Sequence, residues 1–81
     1  MDPKFEIYVV VKTIYRNNIP KEEILCSFED YEDSQYYLKT YSEQIGYKLK
    51  YNEYGVITGS YFFNDKKKVS VFLTIEIIQV Y

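Results

Sequence analysis

Residues Val69 to Tyr81 read as a strand that is apolar on both faces. Val69, Val71, Leu73, Ile75 and Ile77 form one alternating row, and Ser70, Phe72, Thr74, Glu76, Ile78 and Val80 form the other. A strand covered on one side alternates apolar with polar residues, so this one predicts cover on both. Phe5 to Tyr15 alternates as well, with Phe5, Ile7, Val9 and Val11 on one face and Glu6, Tyr8, Val10, Lys12 and Ile14 on the other. Arg16 to Lys21 carries turn chemistry, because asparagine tolerates positive φ and Pro20 cannot donate to a ladder. Glu22 to Phe28 then returns with Ile24, Cys26 and Phe28 facing in, although a helical turn at Lys21–Glu23 competes for the same residues.

The next segment changes period. Ser34, Tyr37, Leu38, Tyr41 and Ile45 recur at helical spacing, whereas Glu32, Tyr36, Lys39, Glu43 and Gln44 fall largely elsewhere. Asp30 and Asp33 frame the start, where a carboxylate accepts a backbone N–H and suits the helix dipole. Gly46 stands where a left-handed cap ends a helix. The spacing predicts a helix over about Tyr31 to Ile45. Three strands follow: Tyr47–Asn52, Val56–Phe63 after a loop at Gly55, and the last strand after a turn at Asn64–Lys68.

The element order is therefore ββαβββ, an α+β chain with one helix packed across a five-stranded antiparallel sheet. The first and last strands, longest and most apolar, belong at the centre, which gives the order 2-1-5-4-3. The helix must then cross from edge to edge. Five strands span roughly 19 Å between edges at about 4.8 Å each, and fifteen helical residues reach about 22 Å. The expected core is Phe5, Val9, Leu38, Tyr41, Leu49, Val71, Leu73 and Ile75. The outer row collects Tyr8, Val10, Ile14, Leu25, Phe62, Phe72, Ile78 and Val80. A contiguous apolar patch beyond a few hundred Å² marks an interface, unless long Lys and Tyr side chains cover it. Self-association around Tyr8, Val10, Phe72 and Ile78, as a two-fold dimer, is the expected cover.

Size and charge narrow the function. The 81 residues make one domain, spanning 1–81, with room for little more than one helix layer on one sheet. A net charge of −2 gives no strong drive toward nucleic acid or anionic membrane, and is weak for a DNA mimic. Cys26 is the one cysteine, which excludes an intrachain disulfide and fits a reducing cytoplasm. Met1-Asp2-Pro3-Lys4 lacks the regions of a signal peptide, and no apolar run approaches the roughly 20 residues that span a bilayer. The expected location is the cytoplasm.

Candidate chemistry is sparse. No histidine is present, so the commonest general base and the Ser-His and Cys-His pairs are missing. Cys26 lies in an apolar row, and a reactive thiol needs a basic, exposed setting. Glu29, Asp30, Glu32 and Asp33 lack the alternating ligands and central glycine of a calcium loop, and helix capping explains them. Gly55-Val56-Ile57-Thr58-Gly59-Ser60 lacks the Walker lysine and a following helix. Lys66-Lys67-Lys68, Lys48, Lys50, Lys12 and Arg16 with Tyr8, Phe62 and Phe72 make a sheet-face nucleic-acid or nucleotide binder conceivable, but a lysine run more often guards a strand edge. No catalytic, cofactor or metal residues are expected. The expected function is a small non-catalytic protein-binding module, and the acidic, Tyr-bearing helix face of Glu32, Tyr36, Lys39 and Glu43 is its candidate partner site.

Alanine and tryptophan are also absent, nine lysines stand against one arginine, and Tyr, Ile, Lys, Phe and Asn fill nearly half the chain. These residues have A/T-rich codons. With Tyr31–Tyr41 (YEDSQYYLKTY) and the aromatic hairpin Tyr47–Phe63, the chain resembles the small Tyr- and Lys-rich orphan proteins of phages and mobile elements from A/T-rich bacteria. Some of those proteins inhibit defence systems such as CRISPR. The resemblance implies an inhibitor acting in the host cell cytoplasm by occluding a host protein's surface. It supplies no diagnostic motif, and no functional residue is transferred from it.

Overall fold

The computed structural model describes residues 5–81, so the Met1–Lys4 segment read above lies outside the described residues. The strands are β1 (Phe5–Arg16), β2 (Ile19–Phe28), β3 (Lys48–Tyr51), β4 (Ile57–Asn64) and β5 (Val69–Val80), with one helix, α1 (Tyr31–Ile45). They form one five-stranded sheet in the order β2-β1-β5-β4-β3, with every neighbouring pair antiparallel. This is the expected α+β arrangement, with the two long apolar strands paired along their full length at the centre.

Local chemistry sets the connections. Asn17 and Asn18 both take positive φ, 53° and 66°, which makes the β1–β2 link a tight two-residue hairpin whose twist matches the strands. β2 therefore resumes at Ile19, earlier than the composition suggests, and Lys21–Glu23 is strand instead of helical turn. Pro20 pairs with Tyr15 on the sheet's edge strand, where a missing N–H is tolerated. Gly46 closes α1 in the left-handed region and donates to the Ser42 carbonyl. Asp30 occupies the N-cap position, but its side chain makes no capping bond. Its carbonyl instead accepts from the Ser34 N–H at 3.3 Å, so dipole complementarity alone accounts for the neighbouring acids.

The helix lies diagonally across one face. Near its start Tyr31 meets Tyr8 edge-on at 5.2 Å, and near its end the Ser42 hydroxyl donates to that of Ser60 at 2.7 Å. Leu38 sits at 0% exposure between buried Ser34 and Ser42 and packs on Val10, Val71 and Leu73. The small serines let the helix approach the sheet closely, with Leu38 filling the space beneath.

The two faces of β1 are the reverse of the expected ones. Val10 is 0% exposed in the core, and the register sets Tyr8, Val10, Lys12 and Ile14 beside Ile77, Ile75, Leu73 and Val71 under the helix. Tyr8 and Val10 thus do not belong to the outer face. Phe5 and Val9 leave the predicted core for that face: Phe5 is exposed there, and Val9 is buried but on the far side. A bulge between Val10 and Val11 skips Leu25, so Leu25 turns into the core while Ile24, expected inside, is 69% exposed. Phe62 likewise pairs with Val71 on the helix side and stacks on Tyr47. Leu38, Val71 and Leu73 are buried as expected, with Tyr41, Leu49 and Ile75 partly buried against them.

Candidate protein-binding surfaces

The open face of the sheet carries the row Phe5, Ile7, Val9, Val11, Thr13 and Tyr15 from β1. Beside it lie Val80, Ile78, Glu76, Thr74, Phe72 and Ser70 from β5. Val9 and Val11 are buried, whereas Phe5, Ile24, Phe63, Ile78 and Tyr15 remain exposed. Of the residues expected to self-associate, Phe72 and Ile78 lie here; Tyr8 and Val10 do not. Sequence reasoning missed Phe5, Ile7, Ile24 and Phe63, whose row depends on the β1 register and the bulge.

One end of this face is aromatic. Phe72 meets Tyr15 and Phe63 edge-on at 5.8 and 5.7 Å, and Phe63 meets Tyr61 at 5.2 Å. The Lys50 ammonium lies 5.4 Å from the Tyr61 ring centre and 5.5 Å from that of Phe72, a cation–π arrangement. Across the centre the surface is low. Gly59 faces Thr74, and a Cβ there would stand 2.5 Å from the Leu73 carbonyl oxygen, so close backbone approach requires glycine.

The helix presents a second surface. Glu32, Tyr36, Lys39 and Glu43 are all exposed, Tyr36 at 72%. Gln35 donates to the Ile57 carbonyl at 3.3 Å, which ties the helix to the first residue of β4, next to the β3–β4 loop. Tyr36 and Lys39 thereby line a shallow groove with Gly55, Val56 and Ile57. Tyr54, in the same loop, is 81% exposed. The Asn52 carboxamide oxygen accepts from the Tyr54 and Val56 N–H groups at 2.8 and 3.0 Å, holding the loop in shape. The candidate partner surface therefore extends onto a loop that the helical period did not reveal.

Titratable groups on the helix side serve packing. The Lys12 ammonium donates to the Tyr41 hydroxyl at 3.2 Å and lies over the Tyr41 and Tyr47 rings. Burial pushes its pKa down, but that hydrogen bond, with Tyr47, Tyr41 and Glu23 nearby, outweighs it and the pKa is raised. Tyr8 is raised by its hydrogen bond to Glu6, and Tyr37 by burial beside Cys26 and Tyr41. All three groups hold protons more tightly when folded. Their contribution to stability is therefore complete below the ordinary values of 10.0 for tyrosine and 10.5 for lysine, and is lost as pH rises through the raised values. The urea midpoint should hold up to about pH 9 and fall as pH rises beyond about 10, and fall less in Tyr8→Phe/Tyr37→Phe. A double variant with the same alkaline slope as the parent would remove these tyrosines as the cause.

Cys26 is a free, half-buried thiol on the helix side. Among the described residues, no three His, Cys, Asp or Glu side chains gather closely enough to hold one metal ion, and no helix is long and apolar enough to cross a membrane. Comparison of the chain with protein-family models, curated proteins and solved structures returned no match.

Proposed function

We propose that the chain is a small non-catalytic protein-binding module that works by occupying a partner's surface. The observation that carries this reading is the open sheet face. Its β1 row is more consistently apolar than the row beneath the helix, which includes Glu6 and Lys12. Val9 and Val11 in that row are already buried within the chain, but Phe5, Tyr15, Ile24, Phe63 and Ile78 around them stay exposed. At roughly 25 cal/mol per Å² of apolar area removed from water, they favour cover by a second polypeptide. In this reading a second copy covers it, and the helix face with the Tyr54 loop remains for the partner. Tyrosines there supply contact area at low rotamer cost and keep a hydroxyl for pairing. The compositional resemblance supplies the finer proposal: a phage or mobile-element inhibitor acting on a host defence protein in the cytoplasm.

Light scattering at tens of micromolar tests the first half. The parent should be dimeric and Phe72→Asp monomeric; a monomeric parent defeats self-association. For the second half, Glu32→Lys/Tyr36→Ala/Glu43→Lys should abolish capture of the partner isolated from the native host while leaving the melting curve nearly unchanged. Full capture by that variant would move the site off the helix.

A second reading, nucleic-acid or nucleotide binding, draws on Lys48, Lys50 and the rings of Tyr61, Phe63 and Phe72. It ranks lower because Lys50 already lies over two of those rings, where a base would have to stack. Tight binding of single-stranded oligonucleotides that weakens steeply with salt would reverse the ranking.

A further inference from the structure

The sheet has oppositely charged ends. At the end where β1 starts and α1 begins, the segments 5–10, 26–35 and 75–81 hold six acids and no base: Glu76 on the open face, Glu6 in the helix-side row, and Glu29, Asp30, Glu32 and Asp33 around the start of the helix. At the other end the β1–β2 and β4–β5 turns lie together, joined by the Asn17 N–H donating to the Lys68 carbonyl at 3.4 Å. Segments 13–23 and 64–70 there hold five bases, Arg16, Lys21, Lys66, Lys67 and Lys68, against three acids, Glu22, Glu23 and Asp65, Lys12 being engaged beneath the helix with Tyr41. The open face is graded the same way in shape. Rings crowd the basic end, Val11, Thr74 and Gly59 make a low centre, and Phe5, Ile7, Ile78 and Val80 form the acidic end.

We infer that two copies pack open face to open face with their ends reversed, about a two-fold axis through the Thr74 region. This rests on the self-association proposed above and specifies its geometry. Reversal lays the Tyr15–Phe63–Phe72 rings of one copy over the aliphatic end of the other and sets each basic end beside an acidic one. Packing with like ends together would oppose lysine turn to lysine turn and acid to acid, which charge complementarity excludes from a stable interface. The available area is of the right order. A twelve-residue ladder is about 40 Å long and three strands about 14 Å wide. That gives roughly 550 Å² in projection, before side-chain relief, against about 800 Å² per partner in a standard interface.

Thr74 lies midway between Ser70 and Ile78 along β5, so the reversed dimer brings Ser70 of one copy opposite Ile78 of the other. Facing sheets stand about 10 Å apart, within reach of a short bis-maleimide. In a Cys26→Ser background, Ser70→Cys mixed with Ile78→Cys should cross-link several-fold more than either variant alone. Equal cross-linking by each variant alone would indicate like-end packing and overturn the inference while leaving self-association intact. Absence of cross-links in a protein that scatters as a dimer would also overturn it, because the dimer would then use another surface. A parent that scatters as a monomer would remove the reading beneath it. Lys66→Glu/Lys67→Glu, confined to an exposed turn, gives an independent readout that does not depend on Ile78. The reversed dimer should weaken several-fold at low salt, and an unchanged dissociation constant would count against it.

Discussion

Leu38→Ala should lower the unfolding free energy by about 2–5 kcal/mol, the range for truncating a buried leucine. Leu38 is fully buried and is the helix's central contact with Val10, Val71 and Leu73. Its flanking helix positions cannot fill the space it leaves. Ser34 is turned back to the Tyr31 carbonyl at 2.6 Å, and Ser42 is committed to Ser60. The cavity should therefore remain open, which puts the cost well inside the range. In a domain this small about 2 kcal/mol shifts the melting temperature by roughly 8–16 °C, so thermal and urea melts should both report it. A loss below about 0.5 kcal/mol, the scale of ordinary surface changes, would place Leu38 outside the core.

The fold was legible because several signals agreed. The helix bounds, the strand sequence and the order β2-β1-β5-β4-β3 follow from the period change at Asp30, the turn residues and the two strands too apolar for an edge. The facing of individual rows was not legible. Period-two alternation separates two rows but does not say which one meets the helix, and a one-residue shift exchanges them. In β1 the rule that polar residues point outward favours Phe5, Ile7, Val9 and Val11 as the inner row. It fails because Lys12 finds the Tyr41 hydroxyl and two ring faces beneath the helix. Ser60 misleads in the same way: it is buried because Ser42 satisfies it, and that sends Phe62 to the helix side. The bulge that reverses Ile24 and Leu25 has no local sequence mark.

The candidate surfaces divide similarly. Glu32, Tyr36, Lys39 and Glu43 are all exposed, as helical spacing implies once the buried seam is known. The adjoining Tyr54 and Val56 were missed because their approach to the helix depends on the Gln35–Ile57 bond and on the Asn52 turn. The open sheet face was anticipated from β5 and correctly includes Phe72, Ile78 and Val80, but its β1 half came from the wrong row. That exchange puts the more consistently apolar β1 row on the open face, beside a β5 row that carries Glu76, Thr74 and Ser70.

The two rows of the sheet should answer the same substitution in opposite ways. Val10→Asp is expected to unfold the protein. Val10 is fully buried, flanked by Cys26 and Ile75 with Leu38 above it, so a carboxylate there is cut off from water, and the lysine in its row, Lys12, is already committed to Tyr41. An unpaired buried charge belongs to the class of changes that cost more than about 4 kcal/mol. A chain of this size holds only roughly 4–12 kcal/mol in total, at about 0.05–0.15 kcal/mol per residue. Ile78→Asp, made on the half-exposed open face, should instead cost about 1 kcal/mol, the span of strand propensities, and leave a folded chain with native far-ultraviolet dichroism. Its loss should appear in light scattering, as a monomer at concentrations where the parent is a dimer. If Val10→Asp melts like the parent while Ile78→Asp unfolds, the helix lies on the other face and both the core and the proposed interface are inverted. If both variants fold and both remain dimeric, the open face is not what holds the two copies together.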